Sequence, residues 1–125
     1  MDDLGVSDLI AFRGASQSIR DEYRKADVFC LPSLWEGFPN VLCEAMSCGL
    51  PVLCSRVCDN PNIAVEGVSG FLFDPLSVGE MTDAIIRFVD LNEKTRKRMG
   101  DKNREIALSR FSSESFINKY MIIIV

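Results

Sequence analysis

Residues 26–44 read ADVFCLPSLWEGFPNVLCE, an apolar run followed by a loop with aromatic residues and the start of a helix. The run Val28–Leu31 does not alternate between polar and apolar residues, which is typical of a strand buried on both faces. Pro39 suits the first position of a helix, because its fixed φ fits there and a missing N–H costs nothing in the first turn. This segment therefore predicts a strand, a loop and a helix in succession.

Short apolar runs and amphipathic segments continue to alternate on both sides of this segment. Gly49 predicts the end of the helix that starts at Pro39, and the next apolar run follows at Pro51. The sequence therefore predicts an α/β fold: a three-layer, Rossmann-like domain with a short, mainly parallel sheet of about four strands flanked by helices, and a helical C-terminal part. The predicted strands are residues 9–12, 28–31, 51–54 and 70–73, and the predicted helices are residues 18–26, 39–49, 78–91 and 93–111.

Composition limits the classes of function. The chain has 125 residues, of which 47% are hydrophobic, and this suits a single domain over residues 1–125. It contains no histidine, which excludes Ser-His-Asp and Cys-His catalysis and any histidine-containing zinc site within this chain. Its net charge of −4 disfavours nucleic acid as a partner, because nucleic-acid binders usually need a basic face.

The cysteines indicate a reducing compartment. Five cysteines are present, an odd number with no C-x-x-C pair. Cys30 and Cys54 lie within apolar runs, where a free thiol packs as a small hydrophobic group, and we expect both to be buried. The residues after Met1 contain no secretory signal, so the sequence predicts a cytoplasmic location.

The loop before residue 39 is the predicted ligand site. Ligands of parallel sheets bind where the strands end and the following helices begin. The unpaired amides of a first helical turn carry about half a positive charge and suit a phosphate, and Gly37 lets a ligand approach the backbone. The predicted core positions of this helix are Val41, Leu42, Ala45 and Met46, and its polar stripe is Asn40, Glu44 and Ser47.

Glu44 lies at a distance from the helix start that suits a ribose. It stands five residues beyond Pro39, about 7.5 Å along the axis, and a carboxylate there could accept hydrogen bonds from a vicinal diol. The residues themselves leave plainer explanations open. Glutamate near a helix start is favoured by the helix dipole in any case, and Trp35 and Phe38 could be core or loop-anchoring aromatics.

A longer string closely resembles the signature of the group 1 glycosyltransferases. It comprises residues 26–33, Glu36-Gly37-Phe38-Pro39, Glu44-Ala45-Met46 and residues 48–52, and it continues through Gly67 and residues 70–75. The resemblance covers nearly the whole chain, and Glu36 and Glu44 match the family's E-x7-E motif. It implies a retaining enzyme of the GT-B fold, of which this chain would be the C-terminal, donor-binding domain without its N-terminal side.

The resemblance also implies roles for individual residues. The family's first glutamate, here Glu36, addresses the donor sugar near the reaction centre, and its second, here Glu44, binds the ribose of a nucleotide-diphospho-sugar. Arg13 resembles a position beside the nucleobase, although plain surface charge explains it equally well. The amides implied to hold the sugar and diphosphate are those of Gly37, Phe38, Asn40 and Val41. No cofactor or metal is implied, because Asp-x-Asp is absent and GT-B enzymes use helix amides and basic side chains for the diphosphate.

The chain departs from the family in two respects. The loop 56–62 lacks paired glycines, and Asn62 stands where the family usually has glutamate, which puts donor contacts from this loop in question. The acceptor domain and the first strands of the donor domain are not in this sequence. The chain is therefore expected to be inactive alone, whether as a fragment, a truncated reading frame or a descendant with another role. A non-catalytic nucleotide- or protein-binding remnant and a part of a sugar-nucleotide epimerase are the alternatives.

Two expectations concern partners. In the strand order 3-2-1-4-5-6, the predicted strands would be 3, 4, 5 and 6, which would leave residues 28–31 as an open edge and predicts a homodimer through it. The basic residues between 94 and 104 alternate with acids, which favours a solvated helix face over contact with a membrane.

Overall fold

Three parallel strands form a sheet in the computed structural model, which describes residues 5–12, 19–35 and 37–110. The strand that contains Val52 lies in the middle of the sheet, with Phe29 beside Val52 on one side and Gly70 beside it on the other. The elements are a 3-10 turn at Ser7–Leu9, then α1 (Ile19–Lys25), β1 (Phe29–Leu31), α2 (Asn40–Ser47), β2 (Val52–Ser55), α3 (Asn60–Ile63), β3 (Gly70–Phe73), α4 (Val78–Val89) and α5 (Glu93–Arg110).

Helices cover both faces of the sheet, as predicted. Every residue of β2 and β3 is buried, which explains why these runs show no polar alternation. On one face Val52 and Cys54 pack with residues of α2, α3 and α5, and on the other Leu53 and Phe71 pack with residues of α4 and α5. The α/β, three-layer, Rossmann-like architecture is therefore confirmed.

The predicted strand at residues 9–12 is wrong, and the described residues form a sheet of three strands rather than four. Leu9 ends the 3-10 turn, and residues 10–12 belong to no strand. Leu9 is 83% exposed and Phe12 is 78% exposed. A strand needs a neighbouring strand for its backbone hydrogen bonds. The predicted strand order puts two other strands between residues 9–12 and β1. The described residues contain neither of these two strands.

Two details of the second helix differ from the prediction. Pro39 is the N-cap of α2 rather than its first helical residue, with φ −82° and ψ 77°. Val41 is 40% exposed and so is not a core residue, whereas Leu42, Ala45 and Met46 are fully buried. Gly49 follows the helix at φ +79°, a left-handed conformation that favours glycine, and it confirms the predicted end.

Cys30 is exposed, which contradicts its predicted burial. It lies on the edge strand β1, and its side chain shares the sheet face of Leu53 rather than that of Val52. Cys54, at the centre of the sheet, is fully buried as expected. None of the five cysteines, all of which lie in the described part of the chain, forms a disulfide bond.

The amino ends of the strands are held against α5. Asn103 is fully buried, and its Nδ2 donates to the carbonyls of Leu50 at 2.7 Å and Ser69 at 2.8 Å. Gly100 approaches the chain so closely that a Cβ there would lie 2.1 Å from the Gly49 carbonyl oxygen. The long C-terminal helix thus closes this end of the sheet, and loops surround the carboxyl ends of the strands.

Within residues 5–12, 19–35 and 37–110, no helix has both the length and the apolar content that crossing a bilayer requires.

Candidate nucleotide-binding crevice

A crevice lies at the carboxyl ends of all three strands. Its cavity has a volume of about 560 Å³, which lies within the range of small-molecule sites. Each strand contributes the residues that follow it, because parallel strands end at the same edge of a sheet. The lining residues are Leu34 after β1, Arg56 and Val57 after β2, and Asp74, Pro75 and Leu76 after β3.

The loop after β1 leads from this crevice to the start of α2. Pro39 is buried, and its carbonyl oxygen accepts hydrogen bonds from the N–H groups of Leu42 at 3.1 Å and Cys43 at 3.3 Å. The N–H of Asn40 donates to the Phe38 carbonyl at 2.9 Å. Among the described residues, none accepts a hydrogen bond from the N–H of Val41. Val41 is also 40% exposed, whereas the Asn40 amide must leave its turn before it can bind a ligand.

Glu44 lies on the exposed stripe of α2 and is oriented by a residue of another helix. The hydroxyl of Tyr23, on α1, donates a long hydrogen bond of 3.5 Å to Oε2 of Glu44. Tyr23 is itself buried. Burial, together with the negative charge and hydrogen bond of Glu44, raises the pKa of Tyr23. The phenol therefore stays protonated at neutral pH and can keep donating to the carboxylate.

Arg56 forms the wall of the crevice after β2. Its Nη1 donates to the Leu72 carbonyl at 3.0 Å, and its Nη2 is paired with the carboxylate of Glu80 in the first turn of α4. The same carboxylate accepts a hydrogen bond from the N–H of Asp74 at 3.3 Å. The hydrogen bond to Glu80 is the main reason that the pKa of Arg56 is raised. The charge of Arg56 is thus balanced within the wall.

Four of the predicted site residues lie together at the start of α2. Gly37, Phe38, Asn40 and Val41 are all exposed there, and Glu44 follows one turn later on the same helix. Exposure of Phe38, at 55%, excludes it from the core. Glu36 and Arg13 lie outside the described residues, so their predicted roles remain predictions.

Asn62 lies on α3, exposed, in the loop that departs from the family pattern. Its Nδ2 donates to Oδ1 of Asp59 at 3.4 Å, a contact confined to that helix and its cap.

Sequence reasoning missed three residues: Arg56, which lines the crevice, Tyr23, which contacts Glu44, and Ser55, which contacts the loop after β1. Tyr23 is the only aromatic residue in the charged helix IRDEYRK, and that contrast could have indicated a buried face. Ser55 is the first polar residue after an apolar run. All three residues contact elements that are distant in the sequence. The periodicity of hydrophobic residues does not predict such contacts.

The sequence profile of the family described as "Glycosyl transferases group 1" matches residues 1–106 of this chain. The chain is 30% identical over 119 residues to the N-acetyl-alpha-D-glucosaminyl L-malate synthase of Bacillus anthracis, covering 94% of this chain and 30% of that protein. It is 34% identical over 119 residues to the MMP alpha-(1->4)-mannosyltransferase of Mycolicibacterium hassiacum, covering 90% of this chain and 28% of that protein.

A solved structure has the same fold. The sucrose-phosphate synthase of Thermosynechococcus elongatus superposes with a TM-score of 0.90 at 25% identity, over 98% of this chain and 31% of that one. The chain thus spans about a third or less of each protein with which it is compared here. With a family profile that matches most of its length and a crevice where nucleotide-binding parallel sheets have theirs, the chain belongs to the group 1 glycosyltransferase family.

Proposed function

We propose that this chain is the donor-binding part of a retaining glycosyltransferase that transfers a hexosyl group from a nucleotide-diphospho-sugar to an acceptor. The observation that carries the proposal is the placement of Glu44, which is exposed one turn into α2 and held by Tyr23. Family membership and the names of the two relatives, which include a glucosaminyl and a mannosyl group, support a sugar as the group transferred.

The start of α2 would hold the diphosphate. Exposed amides at a helix N-terminus attract negative charge. Gly37 lies in open space, since a Cβ added there would have nothing within 4 Å, and Val41 is 40% exposed. Phosphates would also draw the N–H of Asn40 away from its turn at Phe38, since a charged acceptor forms the stronger hydrogen bond. These amides would stabilise the charge that develops on the leaving diphosphate.

The two glutamates would bind the ends of the donor. The Glu44 carboxylate would accept hydrogen bonds from both ribose hydroxyls, while Glu36 would address the transferred sugar. Arg13 would lie beside the base. No metal ion is part of this proposal, because the helix amides would supply the positive potential.

The chain alone would bind a donor without transferring its sugar. Most of the rate of such a reaction comes from holding donor and acceptor in register, and the relatives contain more than twice as much chain as this one. A reducing, cytoplasmic location is part of the proposal, and the five cysteines, none of which forms a disulfide, are consistent with it.

Calorimetric titration with UDP, GDP and ADP, and with their sugar conjugates, tests the proposal. We expect one base to be preferred, the sugar conjugate to bind more tightly than the bare diphosphate, and no sugar transfer. If none of the six compounds binds, the donor-binding role is wrong. If the isolated chain transfers sugar above the level of a Glu36→Ala control, the need for the remaining domains is wrong.

A non-catalytic nucleotide-binding remnant is the second candidate. It is favoured by Asn62, which stands where the family usually has an acid and whose side chain contacts Asp59. The same titration separates the two candidates. A remnant would bind the diphosphate and its sugar conjugates equally, because no residue would recognise the sugar.

A further inference from the structure

The loop between β1 and α2 is tied at its beginning to the neighbouring strand. Ser55 is the last residue of β2 and is fully buried. Its Oγ lies 2.7 Å from the carbonyl oxygen of Ser33 and 3.4 Å from that of Leu31. A hydroxyl has one proton to donate, so the shorter contact is its principal hydrogen bond. This bond joins the first turn of the loop to the centre of the sheet.

Ser55 is itself held on two sides. Its backbone lies beside Phe73 in the parallel ladder of β2 and β3. The Nδ2 of Asn60, on α3, donates to the carbonyl of Ser55 at 3.0 Å, and Asn60 is fully buried as well. The Ser55 hydroxyl is therefore held in a fixed position. Through its hydrogen bond, the sheet fixes the position of the Ser33 carbonyl.

The side chains that follow Ser33 in the loop are largely exposed. Leu34 is 67% exposed and Trp35 is 77% exposed. The far end of the loop is fixed by Pro39, which is buried at the start of α2. Leu34 and Trp35 therefore gain little from apolar packing, and the hydrogen bond between Ser55 and Ser33 is the sheet contact next to them in the chain.

We propose that Ser55 is a positioning residue for the donor site: its hydrogen bond to Ser33 holds the loop in the conformation that presents the backbone of Gly37 and Phe38 to the ligand. This inference rests on the donor-binding function proposed above. Ser55 is buried at the end of β2 and would not contact the nucleotide-sugar itself. It acts by reducing the number of loop conformations that a nucleotide-sugar must exclude when it binds.

The test compares Ser55→Ala with Ser69→Ala. Ser69 is equally buried, and its Oγ accepts a hydrogen bond from the N–H of Val65 at 3.0 Å, at the amino end of β3 away from the crevice. Each variant loses one buried hydroxyl, so both are expected to lose comparable stability in urea. Only Ser55→Ala should weaken binding of the preferred nucleoside diphosphate, by about fivefold, the effect of one neutral hydrogen bond.

Trp35 provides a second measurement that does not depend on any nucleotide. It is the single tryptophan of the chain, and it lies two residues beyond Ser33 in the loop. In time-resolved fluorescence anisotropy of the unliganded proteins, the fast component of Trp35 should grow in Ser55→Ala and stay unchanged in Ser69→Ala.

The outcomes separate this inference from the proposed function. A larger fast component together with weaker binding in Ser55→Ala alone supports it. Equal affinity in both variants, or equal anisotropy, overturns it. If the wild-type chain binds no nucleotide, the proposed function fails, and the anisotropy still decides whether Ser55 holds the loop.

Discussion

The Tyr23 hydroxyl lies 3.5 Å from Oε2 of Glu44, so a buried phenol of α1 orients an exposed carboxylate of α2. The two helices come from opposite sides of β1 in the sequence. Tyr23 also packs edge-on against Phe29 of that strand, with ring centroids 5.7 Å apart and an interplanar angle of 88°. The position of Glu44, the residue predicted to bind the ribose, therefore depends on how α1 packs against β1.

Replacement of Glu44 by glutamine should weaken binding of a nucleoside diphosphate by about three- to tenfold, because an ionised acceptor forms stronger hydrogen bonds than a neutral amide. Calorimetry measures the change. Ser47→Ala is the control, since Ser47 is exposed one turn later on the same stripe and its Oγ contacts only the backbone of Glu44 at 2.7 Å. Equal affinities in all three proteins would make Glu44 an ordinary surface charge.

Replacement of Tyr23 by phenylalanine should weaken binding of a nucleoside diphosphate less, by about two- to threefold, because it removes only one long hydrogen bond from a neutral hydroxyl to Glu44.

The same replacement should also change how the free energy of unfolding depends on pH in alkali. The folded-state pKa of Tyr23 is raised above its ordinary value of 10.0. Above pH 10 the unfolded chain therefore releases a proton that the folded chain keeps, and the free energy of unfolding falls as the pH rises. In urea unfolding from pH 9 to 11, the free energy of unfolding should fall less steeply with pH in Tyr23→Phe than in the wild type.

The buried thiol of Cys54 predicts a second alkaline loss of stability. Burial raises its pKa from 9.0 to about 12. The stabilisation that this protonated thiol contributes is fully present below pH 9. It is lost as the pH rises toward about 12, because the unfolded chain then binds fewer protons than the folded chain. Cys54→Ala should be less stable at pH 7, because it leaves a cavity, but its stability should fall less steeply above pH 9. Cys58→Ala, which removes an exposed thiol, should keep the steep fall; identical slopes in both variants would contradict the assignment.

Removal of the Asn103 amide should destabilise the protein strongly. Asn103→Ala leaves the carbonyls of Leu50 and Ser69 without their buried donor, and we expect a loss of about 2–4 kcal/mol in urea unfolding. Lys102→Ala is the control, because its side chain is half exposed and its pairing with Glu105 is a surface ion pair worth under about 1 kcal/mol. A loss below 1 kcal/mol for Asn103→Ala would show that water replaces the amide.

The open edge of β1 predicts self-association. Among the described residues, no strand pairs with β1 on the side away from β2. Cys30 lies at the middle of that strand and is exposed, so apolar surface and backbone groups are both available to a second copy. Size-exclusion chromatography with light scattering should give a mass near 28 kDa, twice the 14.0 kDa of the chain. Cys30→Lys should shift the mass toward the monomer, since a charge on an edge strand opposes pairing; a 14.0 kDa wild-type species would exclude the dimer.

Local sequence alone predicted three of the four proposed strands and the helices α1, α2, α4 and α5, but not the short helix α3 between β2 and β3. Unbroken apolar runs identify strands that are buried on both faces, and Pro39 and Gly49 mark the two ends of α2 to within two residues. The residues at the start of α2 could also be placed together, because five consecutive positions of a loop and helix cannot lie far apart.

The packing of separate elements decided the rest. Residues 9–12 have the apolar character of a strand, but they form none, since strand formation depends on a neighbouring backbone that local sequence does not supply. Cys30 and Val41 are apolar and yet exposed, because burial depends on which element lies opposite. The contacts of Tyr23 with Glu44 and of Ser55 with Ser33 join residues more than 20 positions apart. Residue type and periodicity determined which segments form the sheet, and only the tertiary structure decided which side chains meet at its carboxyl edge, because those meetings depend on the docking of helices and strands in three dimensions.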